Sequence, residues 1–194
     1  MLAIIVLSSS PATAHNTKNH AGPIHLPPPD IADLLSVAGP FQTFLGYLQK
    51  TNVIQTFQNQ ANTTTAAGIT IFVPKDSAFT ALKKTTLARL TKNQLKSLLL
   101  YHALRRFYSL SQLGLPGRRS RLVATFAGSR YTLNLTDDIV GSIRVRSTWS
   151  NAKIRSSVYV TAPVAVYEVD KVLLPKQIFK SRPPLGLANS VRRS

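Results

Sequence analysis

The sequence predicts an α+β fold in one domain that covers residues 30–180. Two observations support this class: apolar residues at helical spacing dominate the first part of the domain, and short β-branched runs between turn residues dominate the part after residue 121. Helices followed by strands are typical of α+β domains. The chain has 194 residues, of which 44% are hydrophobic, so it can bury a substantial core without cysteines, which it lacks.

Three helices are predicted at the start of the domain. Asp30 is placed to cap a helix whose apolar positions 31, 34, 35 and 38 have i, i+3, i+4, i+7 spacing, and Gly39 is placed to end it. Pro40 opens a second helix with the same spacing over residues 41–48. Residues 53–57 predict a shorter third helix, which a polar loop follows.

The middle of the domain predicts a buried strand and a further helix. Residues 69–73 are apolar and β-branched and stop at Pro74. Asp76 is then expected to cap the turn that follows it. Thr91 and Gln94 have the form of a capping box, which opens a helix with Leu95, Leu98, Leu99 and His102 on one face.

The second half predicts strands. A basic loop over residues 114–121 precedes a predicted hairpin, formed by residues 122–126 and 130–135 around an Ala-Gly-Ser turn. Three further strand-like runs cover residues 143–145, 157–161 and 164–174.

The ends of the chain differ in composition from the domain. Residues 1–14 hold a short apolar run over residues 1–7 followed by Ala12-Thr-Ala14 and are similar to a signal peptide, and residues 15–29 predict a Pro-rich linker. Residues 181–194 predict a basic mobile tail. No apolar run of 18 residues is present, so no transmembrane segment is predicted. Two Asn-x-Thr triplets, at Asn62 and Asn134, are candidate glycosylation sites of a secreted protein.

Positive charge is the most unusual property of the composition. The chain has 24 Lys and Arg against 7 Asp and Glu, a formal net charge of +17, and most of the excess lies after residue 100. Such a surface favours polyanions. The candidate polyanion-binding residues are the arginines of the basic loop and of one later strand: Arg118, Arg119, Arg121, Arg144 and Arg146. Arg144 and Arg146 are two residues apart, so on a strand they face the same side.

Three segments together resemble the fasciclin (FAS1) domain family. Thr70-Ile-Phe-Val-Pro-Lys-Asp-Ser-Ala-Phe79 is similar to the first signature of the family, Tyr101-His102 to its central pair, and the segment from Val164 to Pro175 to its second signature. Residues 39–46 and 126–128 resemble the plant fasciclin-like arabinogalactan branch with a single domain. The motif residues that we single out are Thr70, Phe72, Pro74, Asp76, Phe79, Tyr101, His102, Val166, Asp170 and Pro175.

The resemblance implies a wedge-shaped β-sandwich of about seven strands with several helices on one side. It also implies a secreted adhesion or wall-organising glycoprotein of the plant cell wall and plasma-membrane surface, whose partners are wall polysaccharide or cell-surface proteins. The chain departs from the branch in its charge, in its scarcity of Pro/Ala/Ser-rich stretches and in its lack of an apolar tail for a lipid anchor, so no anchor is expected.

The motif residues favour structural roles. His102 falls on an apolar helix face, where a neutral imidazole can join the helix to a neighbouring loop, while Tyr101 is expected at the edge of that stripe. Phe72, Phe79 and Val166 are core candidates. No nucleophile elbow, P-loop or His-Glu-x-x-His motif is present, so the sequence predicts neither an enzyme nor a metal or cofactor site.

Two functional hypotheses remain. The first is an extracellular module that binds wall glycans, acidic pectin among them, or proteins. The alternative is an intracellular polyanion-binding protein for nucleic acid, motivated by the charge but lacking interleaved aromatics and any nucleic-acid-binding motif. A glycan on Asn62 or Asn134 would separate them, because that modification requires the secretory route.

Overall fold

A computed structural model describes residues 27–63, 65, 67–114, 120–137 and 142–186. These residues form helices α1 Ile31–Val37, α2 Gln42–Lys50, α3 Val53–Asn62, α4 Asp76–Thr80, α5 Lys84–Ala88, α6 Lys92–Leu100 and α7 Leu110–Leu113. The strands are β1 Ile69–Pro74, β2 Ala103–Leu104, β3 Ser120–Thr125, β4 Gly128–Asp137, β5 Ile143–Arg146, β6 Asn151–Thr161 and β7 Val164–Val169. The α+β class and the seven strands are therefore confirmed.

The seven strands pair in sequence order and close on themselves. β1 is hydrogen-bonded to β2 on one side and to β7 on the other, and the β1–β7 ladder is parallel whereas the other ladders are antiparallel. The resemblance implied a sandwich, and the hydrogen bonding joins all of its strands into one closed sheet. This closure removes open edges from the sheet.

The core divides along β1, which is buried on both sides. Ile69, Ile71 and Val73 belong to a cluster under helices α1–α3, whereas Phe72 belongs to a second cluster enclosed by the strands. This explains why the sequence of β1 is continuously apolar rather than alternating. A third, smaller cluster joins α4 and α6 to the segment that follows β7, through Ala78, Leu98, Val172 and Leu174.

The predicted helix starts are mostly confirmed. The Asp30 carboxylate accepts a hydrogen bond from the Asp33 N–H at 3.0 Å, and Thr91 and Gln94 form both bonds of a capping box. α6 ends at Leu100, however, so Tyr101 and His102 lie in the turn after the helix.

Several boundary predictions are wrong. β6 begins at Asn151 rather than at residue 157, and β7 ends at Val169 rather than at residue 174. Arg121 lies within β3 rather than in the preceding loop. The chain also remains packed beyond residue 180, because Leu185 bridges to Leu82 and the Gly186 N–H donates to the Ala81 carbonyl at 2.9 Å. A mobile tail that starts at residue 181 is therefore incorrect for residues 181–186, and residues 187–194 lie outside the described part of the chain.

Candidate functional site

His102 joins α6 to the segment after β7. Its Nδ1 lies 2.8 Å from the Leu98 carbonyl, and the Leu173 N–H donates to its Nε2 at 3.0 Å. Because a carbonyl can only accept and an N–H can only donate, these partners fix a neutral ring with the proton on Nδ1. Burial lowers the pKa of His102 to about 4, although the hydrogen bond to Leu98 acts in the opposite direction.

Tyr101 lies inside the closed sheet and not at the edge of the apolar helix face that the sequence predicts. Its side chain is 2% exposed, its hydroxyl donates to the Thr132 carbonyl at 2.8 Å, and burial raises its pKa. Thr70 acts similarly, since its hydroxyl donates to the Arg106 carbonyl at 2.7 Å and accepts from the Tyr108 N–H at 2.9 Å. The central pair and Thr70 thus belong to the framework of the domain.

Asp76 caps a helix other than the one predicted. It lies in the first turn of α4, and its Oδ1 accepts a hydrogen bond at 2.7 Å from the Thr43 N–H in the first turn of α2. Phe41, the residue immediately before α2, provides no side-chain cap for that helix. Phe79 follows Asp76 and packs near Phe44 and Tyr47, with ring centroids 6.4 and 5.9 Å apart. The first signature therefore holds α2 against α4, the helix that follows β1.

Residues of the second signature are also buried or hydrogen-bonded within the domain. Val166 is fully buried. The Asp170 carboxylate accepts from the Lys153 N–H at 2.8 Å and contacts the Arg155 guanidinium at 3.0 Å. Pro74 ends β1 with its side chain buried, and the Pro175 carbonyl accepts from the N–H groups of Ile178 and Phe179. These contacts assign structural roles to the motif residues.

The two sequons occupy different environments. Asn62 is exposed at the end of α3, where its Oδ1 accepts from Gln58 at 2.9 Å. Asn134 lies in the middle of β4 between β3 and β5, half-buried, and its Oδ1 is buried without a hydrogen-bond partner. Glycosylation of either residue stays a prediction, and Asn62 has the more open surroundings.

The structure separates the arginines that were predicted to form one site. Val145 and Ala152 are fully buried, so Arg144 and Arg146 on β5 and Lys153 on β6 face the opposite, outer side of the sheet. We call these three residues the outer basic face. Arg144 is directly opposite Lys153 in the β5–β6 ladder.

Arg121 faces the other side of the sheet, because its partner across the β3–β4 ladder is the fully buried Leu135. Its guanidinium lies 4.9 Å from the centre of the Tyr108 ring and donates to the Gln112 carbonyl at 3.3 Å. It lines a wide cavity of about 820 Å³ that Arg106 also borders. A single surface containing Arg121, Arg144 and Arg146 is therefore wrong, and Arg118 and Arg119 lie outside the described residues.

A groove beside the outer basic face was not predicted. It lies between the turn from β5 to β6 and the segment after β7, and its volume is about 420 Å³. We call it the tryptophan groove, lined by Arg146, Trp149, Asn151, Lys171, Arg182 and Leu185 among others. The one tryptophan of the chain, inside the polar run from Ser147 to Asn151, was the available signal, whereas Lys171 and Arg182 are too distant in sequence to be associated with it.

Among the described residues, no group of three or more His, Asp and Glu side chains is placed to hold a metal ion. No helix there is long and apolar enough to span a bilayer.

Comparisons with known proteins agree with the geometry. The fasciclin domain model matches residues 39–175. Fasciclin-like arabinogalactan protein 7 of Arabidopsis thaliana is 55% identical over 155 residues, which cover 80% of this chain and 60% of that protein. Fasciclin-like arabinogalactan protein 12 of the same plant is 33% identical over 182 residues, which cover 93% of this chain and 72% of that protein. The chain thus spans about 60% of the length of the first relative and more of the second.

A solved structure shares the fold. It is a FAS1 domain pair from the insect cell adhesion molecule fasciclin I, with a TM-score of 0.55 at 15% identity, covering 70% of this chain and 45% of that one. The three signature segments, the closed seven-stranded sheet and the sequence matches lead to one conclusion. This chain belongs to the fasciclin domain family and, within it, to the plant fasciclin-like arabinogalactan proteins.

Proposed function

We propose that the chain is an extracellular, non-enzymatic adhesion or wall-organising module that binds acidic wall polysaccharide, such as de-esterified pectin, through its outer basic face. The names of related proteins support an adhesion or wall-organising role. The plant relatives are named fasciclin-like arabinogalactan proteins, and the insect protein of the same fold is a cell adhesion molecule. Secretion to the apoplast or the plasma-membrane surface is part of this proposal, and so is the absence of nucleic acid as a partner.

The sheet register is the observation that carries the proposal. Arg144, Arg146 and Lys153 project from adjacent strands on one side, at spacings of about 5 Å across strands and about 7 Å along them. Cations in such an array can contact successive carboxylates of one polymer chain. Their combined field also attracts a polyanion over a range of about 8 Å at physiological salt.

Titration of the full chain with pectin tests this proposal. We expect de-esterified pectin to bind with an affinity that falls steeply as salt rises, and fully methyl-esterified pectin to bind weakly, because the ester removes the charge. The double variant Arg144→Gln, Lys153→Gln should bind the acidic polymer about tenfold more weakly. The matched control, Lys50→Gln with Lys96→Gln, removes two exposed charges from α2 and α6 and should have a much smaller effect. Equal affinity for both polymers, or affinity indifferent to salt, would contradict the proposal.

A further inference from the structure

We propose that the tryptophan groove is a binding site for an acidic sugar residue, with Trp149 as the platform for the ring and Lys171 and Arg182 as the partners of its carboxylate. This inference rests on the proposed function, and it adds a specific subsite and ligand chemistry. A sugar ring has one apolar C–H face, several hydroxyls and, in a uronic acid, one carboxylate. A receptor for it needs an aromatic surface, polar side chains and cations close together.

The groove collects positive charge from three separate segments. Arg146 ends β5, Lys171 follows β7, and Arg182 belongs to residues 176–186, which pack against the domain. No Asp or Glu is among the described residues that line it. Asp170 is adjacent to Lys171 in sequence, but its carboxylate is already bonded to the Lys153 N–H and the Arg155 guanidinium. An anionic ligand would therefore supply the charge that the lining lacks.

Trp149 has a fixed orientation. Its indole N–H donates to the Phe179 carbonyl at 2.8 Å, and the ring packs against the third apolar cluster while still lining the groove. The polar end of the indole is thus satisfied by the protein itself, which leaves the ring to act as an apolar surface. Thr148 and Asn151, both exposed, place a hydroxyl and an amide beside it.

The turn that carries Trp149 is held by its own hydrogen bonds. The Ser147 hydroxyl donates to the Leu174 carbonyl at 3.0 Å, and the Ser150 hydroxyl donates to the Val172 carbonyl at 2.6 Å. The Ser150 N–H in turn donates to Ser147 Oγ at 3.0 Å. A site that is rigid before binding loses less entropy when the ligand arrives.

The intrinsic fluorescence of the full chain gives a direct test, because Trp149 is the one tryptophan. Trigalacturonate should change the emission in a saturable manner, whereas the neutral trisaccharide of galactose should not. Lys171→Gln and Arg182→Gln, which alter exposed side chains and should preserve the fold, should each weaken trigalacturonate binding about tenfold. Lys50→Gln, which removes an equal charge from α2, should change it by less than about twofold.

Four outcomes would overturn the inference: no emission change with trigalacturonate, an equal response to the neutral sugar, no loss in either groove variant, or stronger binding of an oligodeoxythymidylate of equal charge. The last of these would indicate a nucleic-acid site instead. If acidic pectin still binds in a way that depends on Arg144 and Lys153 while trigalacturonate fails, the tryptophan groove is excluded and the proposed function stands. If neither ligand binds, the proposed function fails as well.

Discussion

The imidazole of His102 is neutral in the fold because its protonation would place a charge in a fully buried site. One of its nitrogens must accept a hydrogen bond from the Leu173 N–H, and a proton on that nitrogen would abolish the acceptor. The ring also lies 5.4 Å from that of Phe44. His102 therefore links α6 to the segment after β7 by two hydrogen bonds that form together only while its imidazole is uncharged.

This arrangement predicts a loss of stability in mild acid. The pKa of His102 is about 4 in the folded chain against an ordinary value of 6.5, so between these values the unfolded chain binds the proton and the folded chain does not. Stability from this group is fully present above the unfolded pKa and declines as pH falls from 6.5 towards 4, by as much as about 3 kcal/mol. Urea unfolding at several pH values measures the decline.

The variant His102→Gln provides the comparison. It should be less stable than the natural chain at neutral pH by about 1–3 kcal/mol, because the Leu173 N–H loses a well-placed acceptor. It should also lack the His102 part of the acid dependence. Parallel pH curves for the two proteins would show that the imidazole is not held neutral.

Local sequence predicted the burial of His102 but not its partner. Leu173 is 71 residues away, and nothing near His102 specifies it. Apolar spacing through residue 102 predicts Tyr101 at the edge of a helix face, whereas α6 ends at Leu100 and the following turn directs Tyr101 into the sheet. Roles that depend on distant backbone groups require the tertiary structure.

At the level of elements, the first turn of α2 is capped by a side chain from another part of the chain. The N–H groups of a first helical turn have no partners within the helix, and Phe41 has no side chain suited to accept from them. The Asp76 carboxylate supplies that acceptor at Thr43 and places a negative charge near the positive end of the helix. The Asp76 N–H donates to the Pro40 carbonyl at 2.7 Å, which fixes the approach of the two segments.

Replacing Asp76 should test this shared cap. Asp76→Ala should lower the free energy of unfolding by about 1–2 kcal/mol, because it leaves the Thr43 N–H without an acceptor. Asp76→Asn keeps an oxygen acceptor and should recover more than half of that loss. Chemical denaturation of the three proteins measures both effects. Equal losses in the alanine and asparagine variants would assign the effect to charge rather than to the hydrogen bond.

Elements with a clear apolar pattern were predictable, including the four-residue strand β5, whereas β2 and the first half of β6 were not. The helix over 31–37 and the β3–β4 hairpin have clear apolar periods, and both form where the sequence indicated. β2 has only two residues and exists because β1 and β3 pair with it. The glycine, proline and arginine residues before Arg121 predict a loop, although the pairing of Arg121 with Leu135 continues the hairpin. Two residues carry too little periodicity to define an element.

For the whole molecule, the placement of the acidic residues matters as much as their scarcity. Four of the carboxylates contact other groups of the domain. Asp30 and Asp76 cap helices, Glu168 contacts Lys75 at 3.8 Å, and Asp170 binds the Lys153 N–H and the Arg155 guanidinium. Those groups support the fold, while the outer basic face and the tryptophan groove collect cations. A net charge of +17 gives the chain a strong long-range attraction for polyanions.

The packing of residues 176–186 indicates that the domain extends beyond the second signature. Ending the chain after Pro175 would remove the Phe179 carbonyl that holds the Trp149 indole, the packing of Ile178 and Phe179 on the third cluster, and the bridge from Leu185 to Leu82. Loss of two partly buried apolar side chains and one hydrogen bond should cost about 3 kcal/mol.

The matched control ends the chain after Gly186 and keeps every one of these contacts. Thermal unfolding should give a clearly lower Tm for the shorter chain than for the control, with Trp149 emission shifted to longer wavelength because the indole meets water. Equal Tm values and equal emission in the two truncated chains would show that residues 176–186 contribute nothing to the fold and that the tryptophan groove lacks its C-terminal wall.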